Sequence, residues 1–469
     1  MRGFLLSTVS CALVALVGAG CSQAQPLNVP VAPIAGAFST QVRGGSSSSP
    51  IQHIVIIVQE NRSFDNIFAG FPGADAPTSG YTHTGKLQSL KPINFGRLGV
   101  DILHNYPMAL TEWDNGKMDD FDEDIFNNNK QPAHLYPYAY LNRKLVQPYW
   151  TMAQQYTLAD HMFPTVWGNS FTAHLDLIAG TTVISQRSGT TVSEIDTPHS
   201  QKVPNWTCSA TPPPPTFILT YTASTGQKVE TGNGPPPCFT PSQFHTMADT
   251  LDAANVTWKY YAPAITGNGG SGGNLWSSFG AIQNVYYGPD WTKDVISPES
   301  TVLTDIPSGK LPAVSWVIPS QPNSDHDGSG SDTGPSWVAA IVNTIGQSQY
   351  WKSTAIIVLW DDWGGWYDDV PPPQLDFMGL AERVPCIVIS PYAKPGYVSH
   401  TQYEFGSILK FVEQTFGLAS LGYTDARATS LGDSFDFSQK PLKFKKIPAK
   451  YPPSYFQNQK PAGVPPDTE

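Results

Sequence analysis

The stretch Ile51-Gln-His-Ile-Val-Ile-Ile-Val-Gln-Glu-Asn-Arg-Ser-Phe-Asp65 decides how the fold is read. Residues 54–58 form an unbroken β-branched run, the mark of a strand buried on both faces in a parallel sheet. The run passes into Glu60 and Asn61, a carboxylate beside an amide oxygen, and then into Arg62, Ser63 and Asp65. Ligands of open α/β sheets sit outside the carboxyl ends of the strands. Hard-cation donors at that position suit one half of a metal site. The plainer reading is a strand followed by a polar turn, with Asp65 capping a helix. Taken alone, these residues favour the plainer reading.

A second stretch changes the balance. Thr354-Ala-Ile-Ile-Val-Leu-Trp-Asp-Asp362 is another buried strand with an acidic end. In a parallel sheet the two ends lie on one edge, which gathers Glu60, Asn61, Asp361 and Asp362. Carboxylates plus an amide oxygen suit a hard divalent cation. Adjacent carboxylates repel unless a cation or a proton is shared between them. The competing reading is a pair of turn aspartates in an Asp-Trp-Gly-Gly context.

Working outward, residues 257–262, 313–319 and 384–390 read as strands, and residues 337–345 and 403–416 as helices. Phe171, Leu175 and Ile178 fall at helical spacing and Gly180 ends that run, so Ser170 stands at a helix N-terminus. Strands alternating with helices predict one α/β domain, about residues 51–440, with a mostly parallel central sheet flanked by helices. Residues 183–310, rich in Pro and Gly, read as an insertion over one end of the sheet. Residues 441–469 read as an irregular tail.

The chain has 469 residues with 40% hydrophobic and only 14% charged positions, so it can bury a large core and is not disordered through charge. A formal net charge of -11 argues against a basic nucleic-acid footprint. An acidic protein still binds a phosphate ester where a cation neutralises it locally. Residues 1–24 carry Arg2, an apolar run and a small-residue stretch, the pattern of a secretory signal peptide. Cleavage after Ala24, or before a lipidated Cys21 that leaves residues 1–20 as the signal, are both open. Either outcome places the protein in the periplasm, on the outer membrane or outside the cell. Residues 25–50 read as a flexible tether. Cys208 and Cys238 bracket a Pro/Thr-rich loop and can pair, Cys386 reads as a buried thiol, and the acidic cluster at residues 119–124 reads as a solvated face.

Phosphate-ester hydrolysis needs a nucleophile and positive charge at the phosphoryl group. Ser170 at a helix N-terminus, where free N–H groups favour anions, supplies the first. As an isolated feature it is an ordinary N-cap serine. His104 and His326 lie in polar loops and are candidates for proton donation or a positive contact; a lone loop histidine is more often just solvated.

Several stretches together resemble the bacterial phosphoesterase family that contains phosphocholine-type phospholipases C and AcpA-like acid phosphatases, within the alkaline-phosphatase-like superfamily. They are His53 to Asp65, Asp101-Ile-Leu-His104, Gly116-Lys-Met-Asp119, Gly168-Asn-Ser170 through Gly180-Thr181, Ser324-Asp-His326, Val358 to Pro373, and Arg383-Val-Pro through Ser390-Pro-Tyr-Ala-Lys-Pro-Gly-Tyr-Val-Ser-His400. The resemblance implies an alkaline-phosphatase-like fold and one divalent metal ion held by Glu60, Asn61, Asp361 and Asp362, with Ser170 as a metal-contacting nucleophile. It also implies a phosphoseryl intermediate resolved by water, and contacts from Asn61, His104 and His326 to the phosphate or the leaving group. The chain departs from the family pattern at Asp369, where many relatives have histidine, at Thr172-Ala-His174, where phospholipase-type members read Pro-Asn-Arg, and at Glu404-Phe405. The expected activity is therefore an exported phosphoesterase of the acid-phosphatase type. The alternatives are a phospholipase C acting on phosphatidylcholine-type lipids and, in a different class, a surface lipoprotein that binds without turnover. The expected partners are a phosphate-ester small molecule or a phospholipid, with no nucleic acid.

Overall fold

Strand β1 (His53–Gln59) lies inside a nine-stranded sheet, and from Ile54 onward every residue of it is buried. The computed structural model describes residues 49–96, 100–196, 207–208, 214–264 and 276–460. The expected signal peptide, the lipidated Cys21 and nearly all of the tether fall outside these residues. After β1 the chain supplies β2 (Thr157–Phe163) to the same sheet. It then builds a separate four-stranded antiparallel sheet from β3 (Val183–Arg187), β4 (Thr190–Asp196), β5 (Phe217–Thr222) and β6 (Gln227–Thr231). It returns to the central sheet with β7 (Trp258–Tyr261), β8 (Val295–Ile296), β9 (Val314–Val317) and β10 (Thr354–Trp360). The last strands are β11 (Val384–Ile389), β12 (Tyr397–Ser399) and β13 (Tyr403–Glu404).

The strand order is β8-β7-β9-β1-β10-β11-β2-β12, with β13 also on β2. Only β11 runs antiparallel to its neighbours. A mostly parallel sheet follows, as expected from the continuous apolar runs. The span 183–310 divides: β3 to β6 stand apart, whereas β7 and β8 extend the central sheet. Trp258, Tyr260 and Tyr261 explain this, because all three are buried in the main core.

The helices that matter for the site are α1 (Phe64–Phe68), α2 (Tyr106–Trp113), α3 (Gln147–Gln155), α4 (Ser170–Ala179), α5 (Gly334–Gly346), α6 (Phe405–Phe416) and α7 (Pro453–Gln457). α3 packs on α5, and α4 packs on α6. Asp65 does not cap α1. Ser63 does, its Oγ accepting the Asn66 N–H at 3.1 Å, while Asp65 lies within the first turn. Burial of an isoleucine such as Ile56 stabilises the fold by roughly 1.5–3 kcal/mol, and Ile56→Ala costs about 2–5 kcal/mol. The tail is irregular in part but docked. Asn343 on α5 pairs with both the N–H and the carbonyl of Ile447, and Phe456 of α7 meets Trp337 at 5.3 Å. Cys208 and Cys238 are disulfide-bonded. Cys386 is buried, and burial pushes its thiol up to about 12. Among the described residues no helix is long and apolar enough to cross a membrane.

Candidate active site

Register puts the two acidic strand ends side by side. β1 and β10 pair from His53↔Thr354 to Gln59↔Trp360, so the next residues of each, Glu60-Asn61 and Asp361-Asp362, emerge together. Backbone bonds continue past the strands: Asp361 N–H donates to Gln59 O at 2.9 Å and Arg62 N–H to Asp362 O at 2.9 Å. On the other flank of β1, Glu60 N–H donates to Ser324 O at 2.8 Å, which brings the loop with His326 to the same edge. Asn61 adopts a left-handed φ of 56°, a conformation that asparagine tolerates better than most residues. Gly364 is required opposite it, since a Cβ there would stand 2.4 Å from Asn61 O.

Two adjoining groups of side chains result. In the first, His174 Nε2 lies 2.9 Å from Glu60 Oε1 and 3.7 Å from Asp361 Oδ2, with all three residues buried. Burial lowers the His174 pKa to about 4 against the pull of Asp361, so the imidazole is neutral near pH 7. In the second, Ser170 Oγ donates to Asp362 Oδ2 at 3.2 Å, and His104 Nε2 stands 3.9 Å from Asp362 Oδ1. His104 Nδ1 donates to Ile102 O at 2.6 Å, which leaves Nε2 to accept from Asn61 Nδ2 at 2.5 Å. The Asn61 amide is thereby oriented with its NH₂ on His104 and its Oδ1 turned elsewhere. Asp361 Oδ1 accepts the N–H groups of Asn61 at 2.9 Å and of Asp362 at 2.8 Å.

That leaves Asn61 Oδ1 and Asp361 Oδ2 buried with no hydrogen bond to either. Leaving buried acceptors unsatisfied costs about 1–3 kcal/mol each, and a cation between them removes the cost. With Glu60 and neutral His174 beside them, the donor set of carboxylate, amide oxygen and imidazole suits a divalent ion without selecting one. The residues present fit the expected metal.

Helix α4 delivers two of these groups at once. Ser170 and His174 are one turn apart and share a face. The orphan N–H groups of the first turn surround Ser170, and Gly180 closes the helix at φ 65°. Thr172 Oγ1 donates to Glu194 Oε2 at 2.9 Å, tying α4 to β4. His326 is buried near the site, its ring 6.3 Å from that of His104 and stacked 6.0 Å from Trp276, with Nδ1 accepting Gly328 N–H at 3.2 Å. All the residues expected in the site thus lie in one region. His174 joins them without having been expected there. In the sequence it stands out only as a departure from the family pattern, although its four-residue spacing from Ser170 is a usable signal.

Two buried arginines hold the surroundings. Arg62 donates from Nε to Asp325 O at 2.9 Å and pairs with Asp327 at 3.5 Å, bracing the loop that carries His326. Arg383 binds Asp368 at 2.7 Å and Asp369 at 2.8 Å, and lies 3.8 Å from Asp65. Asp369 therefore works with Arg383 in tying α1 to the loop after β10.

Residues 51–419 match the phosphoesterase family. The chain belongs to that family. It is similar to phospholipase C A of Mycobacterium tuberculosis, 24% identical across 83% of this chain and 78% of that protein. It is 23% identical to the non-hemolytic phospholipase C of Burkholderia pseudomallei, over 88% of this chain and 63% of the relative. The non-hemolytic phospholipase C of Pseudomonas aeruginosa is also 23% identical, over 83% and 57%. A protein of the alkaline phosphatase superfamily from Vibrio parahaemolyticus covers 82% of this chain and 72% of its own, at 10% identity and a TM-score of 0.36, a likeness too distant to argue from. Membership of this family makes the chain a phosphoric ester hydrolase.

Proposed function

We propose that this hydrolase uses Ser170 as a nucleophile on phosphorus, passing through a phosphoseryl intermediate. The observation that carries the reading is the 3.2 Å hydrogen bond from Ser170 Oγ to Asp362 Oδ2 at the N-terminus of α4. Asp362 holds the hydroxyl proton and aims Oγ, and the free N–H groups of the first turn face the phosphoryl oxygens. The Asn61 amide nitrogen lies beside Asp362, where its second N–H contacts a non-bridging oxygen, and His104 holds that amide in place. His326 stands one ring further out, where a leaving alkoxide takes up a proton. The P–O bond to the leaving group breaks as the Oγ–P bond forms, and water then splits the phosphoseryl bond, returning the serine. Glu60, Asn61, His174 and Asp361 are the residues that would hold the divalent ion, with the Asp362 and Ser170 side chains adjoining them. When bound, that ion supplies positive charge against the developing charge on phosphate.

A phosphomonoester of the acid-phosphatase type needs only this cluster. A second reading is favoured by a cavity of about 350 Å³ whose lining includes Asn169, next to Ser170, and Leu103 and Asn105, on either side of His104. Tyr106 and Phe217 line it together with Asp196 and Glu230. Aromatic rings beside carboxylates suit a quaternary ammonium group, so the cavity suits the head group of a phosphatidylcholine-type lipid cleaved by phospholipase C chemistry. The relatives bear the name phospholipase C, which supports the reaction class of this reading. On either reading the leader-like residues 1–24 carry the protein out of the cytoplasm.

The test runs p-nitrophenyl phosphate and p-nitrophenyl phosphorylcholine side by side on wild type, Ser170→Ala and Asp361→Asn. Both variants lose both activities on this account, and the wild-type ratio separates the substrate classes. Robust turnover by Ser170→Ala sinks the nucleophile assignment.

A further inference from the structure

Away from the catalytic cluster, the sheet edge carries a second convergence of metal-binding groups. Asp160 on β2 is completely buried, yet both of its carboxylate oxygens meet an imidazole. Oδ1 lies 2.8 Å from His161 Nδ1, and Oδ2 lies 2.8 Å from His400 Nδ1. Oδ2 also accepts the Asp75 N–H at 2.9 Å. The two rings are 6.2 Å apart and inclined by 76°. One ligand atom from each of Asp160, His161 and His400 lies within 4.8 Å of the others. His161 is 22% and His400 60% exposed, so the group opens to solvent on one side.

We propose that Asp160, His161 and His400 form a binding site for a divalent transition-metal ion such as Zn²⁺, separate from the catalytic cluster. Two imidazole nitrogens and one carboxylate oxygen are the three-ligand set that zinc accepts with an outside molecule in the fourth position. Tetrahedral ligands about 2.0–2.1 Å from zinc stand about 3.4 Å from one another, so each imidazole need only withdraw slightly from the carboxylate to admit the ion. The choice falls on a transition metal because imidazole nitrogen suits zinc, copper and nickel, whereas calcium and magnesium prefer oxygen.

The backbone beneath is already fixed. Arg383 Nη1 donates to Asp160 O at 2.9 Å and to Asp75 O at 3.0 Å, which holds the carboxylate's strand without using its side chain. His400 lies between β12 and β13, both of which pair in parallel with β2. An ion at this point links β2 to the connection between β12 and β13. Its role is to clamp the strand that leads into the Ser170 segment.

The experiment uses the full chain carrying Glu60→Gln and Asp361→Asn, which removes both carboxylate charges from the catalytic donor set, after chelator treatment. Titration with Co²⁺ followed by visible absorption is expected to show one bound equivalent with a tetrahedral d–d spectrum. Adding His400→Ala weakens binding at least about tenfold, and His161→Ala does the same. In the wild-type background, His400→Ala keeps its hydrolytic activity and its circular dichroism, and in the Glu60→Gln/Asp361→Asn background it loses the rise in melting temperature that Zn²⁺ gives that parent. Co²⁺ binding unchanged by both histidine variants, or no binding before they are made, overturns the proposal. Loss of hydrolysis in Ser170→Ala bears on the nucleophile alone and leaves this site unaffected.

Discussion

The β1–β10 strand ends and the four-stranded sheet of β3 to β6 meet next to Ser170, and they are built on opposite principles. At the strand ends every polar group is buried and backbone bonds continue one residue beyond the sheet, so the donors are placed by register. In the β3–β6 sheet β4 is mostly buried, β3 and β5 are largely half-buried, and β6 is exposed over most of its length. It contributes Phe217, Asp196 and Glu230 to the cavity beside the nucleophile. The difference teaches a division of labour. On the proposed reading, chemistry sits where register fixes the backbone, and choice of ester sits on a small sheet that can vary without disturbing the core.

The largest effect expected from that division comes from the strand ends. Asp361→Asn, or Ser170→Ala, lowers kcat on the order of 10³-fold or more while the melting temperature changes little, as steady-state assays and calorimetry on the same samples would show. A comparable loss from a change in the β3–β6 sheet would break the comparison.

Next comes Arg383→Met, which leaves the buried Asp65 and Asp368 and the half-buried Asp369 together without their cation. Removing one partner of a buried ionic cluster costs about 3–5 kcal/mol, read as a shift in the urea midpoint. The same variant should change the ratio between substrates little, since Arg383 does not line the cavity.

A pH effect of intermediate size follows from buried carboxyls. Burial raises the pKa of Glu194, Glu382 and Glu413 from 4.5 to about 8. The folded chain therefore holds protons that the unfolded chain releases. Their contribution to stability is fully present below about 4.5 and is lost as pH rises through 8. Urea midpoints are expected to fall steadily between pH 5 and pH 8; a flat profile would show that these groups are charged in the fold.

The smallest effect is the one that sharpens the comparison most. Glu230→Gln and Phe217→Ala should shift the ratio of phosphorylcholine ester to simple phosphate ester by up to about tenfold, or 1.4 kcal/mol, with stability unchanged. If the ratio stays fixed, the cavity does not bind the substrate.

Much of the site is legible in the sequence because its signals are local. A β-branched run marks a buried strand, and a carboxylate at its end marks the functional edge, so Glu60, Asn61, Asp361 and Asp362 group together on sequence pattern alone. Ser170 needs the helical spacing of Phe171, Leu175 and Ile178. Other features are not legible in that way. The direction of β11 is hidden, because a strand buried on both faces reads alike in either sense. The return of β7 to the central sheet is masked by the Pro and Gly around it. Asp369 reads as a disturbed site residue, because its partner Arg383 stands fourteen positions on and only the folded loop brings them together. His174 is obscured by the motif it interrupts; its spacing puts it on the helix face of Ser170, but its contact with Glu60 and Asp361 shows only once α4 is set against the strand ends.

The central claim is that Ser170 carries the phosphoryl group. Rapid acid quench during turnover of p-nitrophenyl phosphate, followed by peptide mass spectrometry, addresses it directly. The account predicts a phosphoryl adduct on Ser170 that is absent from Ser170→Ala and accumulates when hydrolysis of the intermediate is slowed. An unmodified Ser170 peptide under conditions of slowed intermediate hydrolysis, together with retained activity in Ser170→Ala, would contradict it.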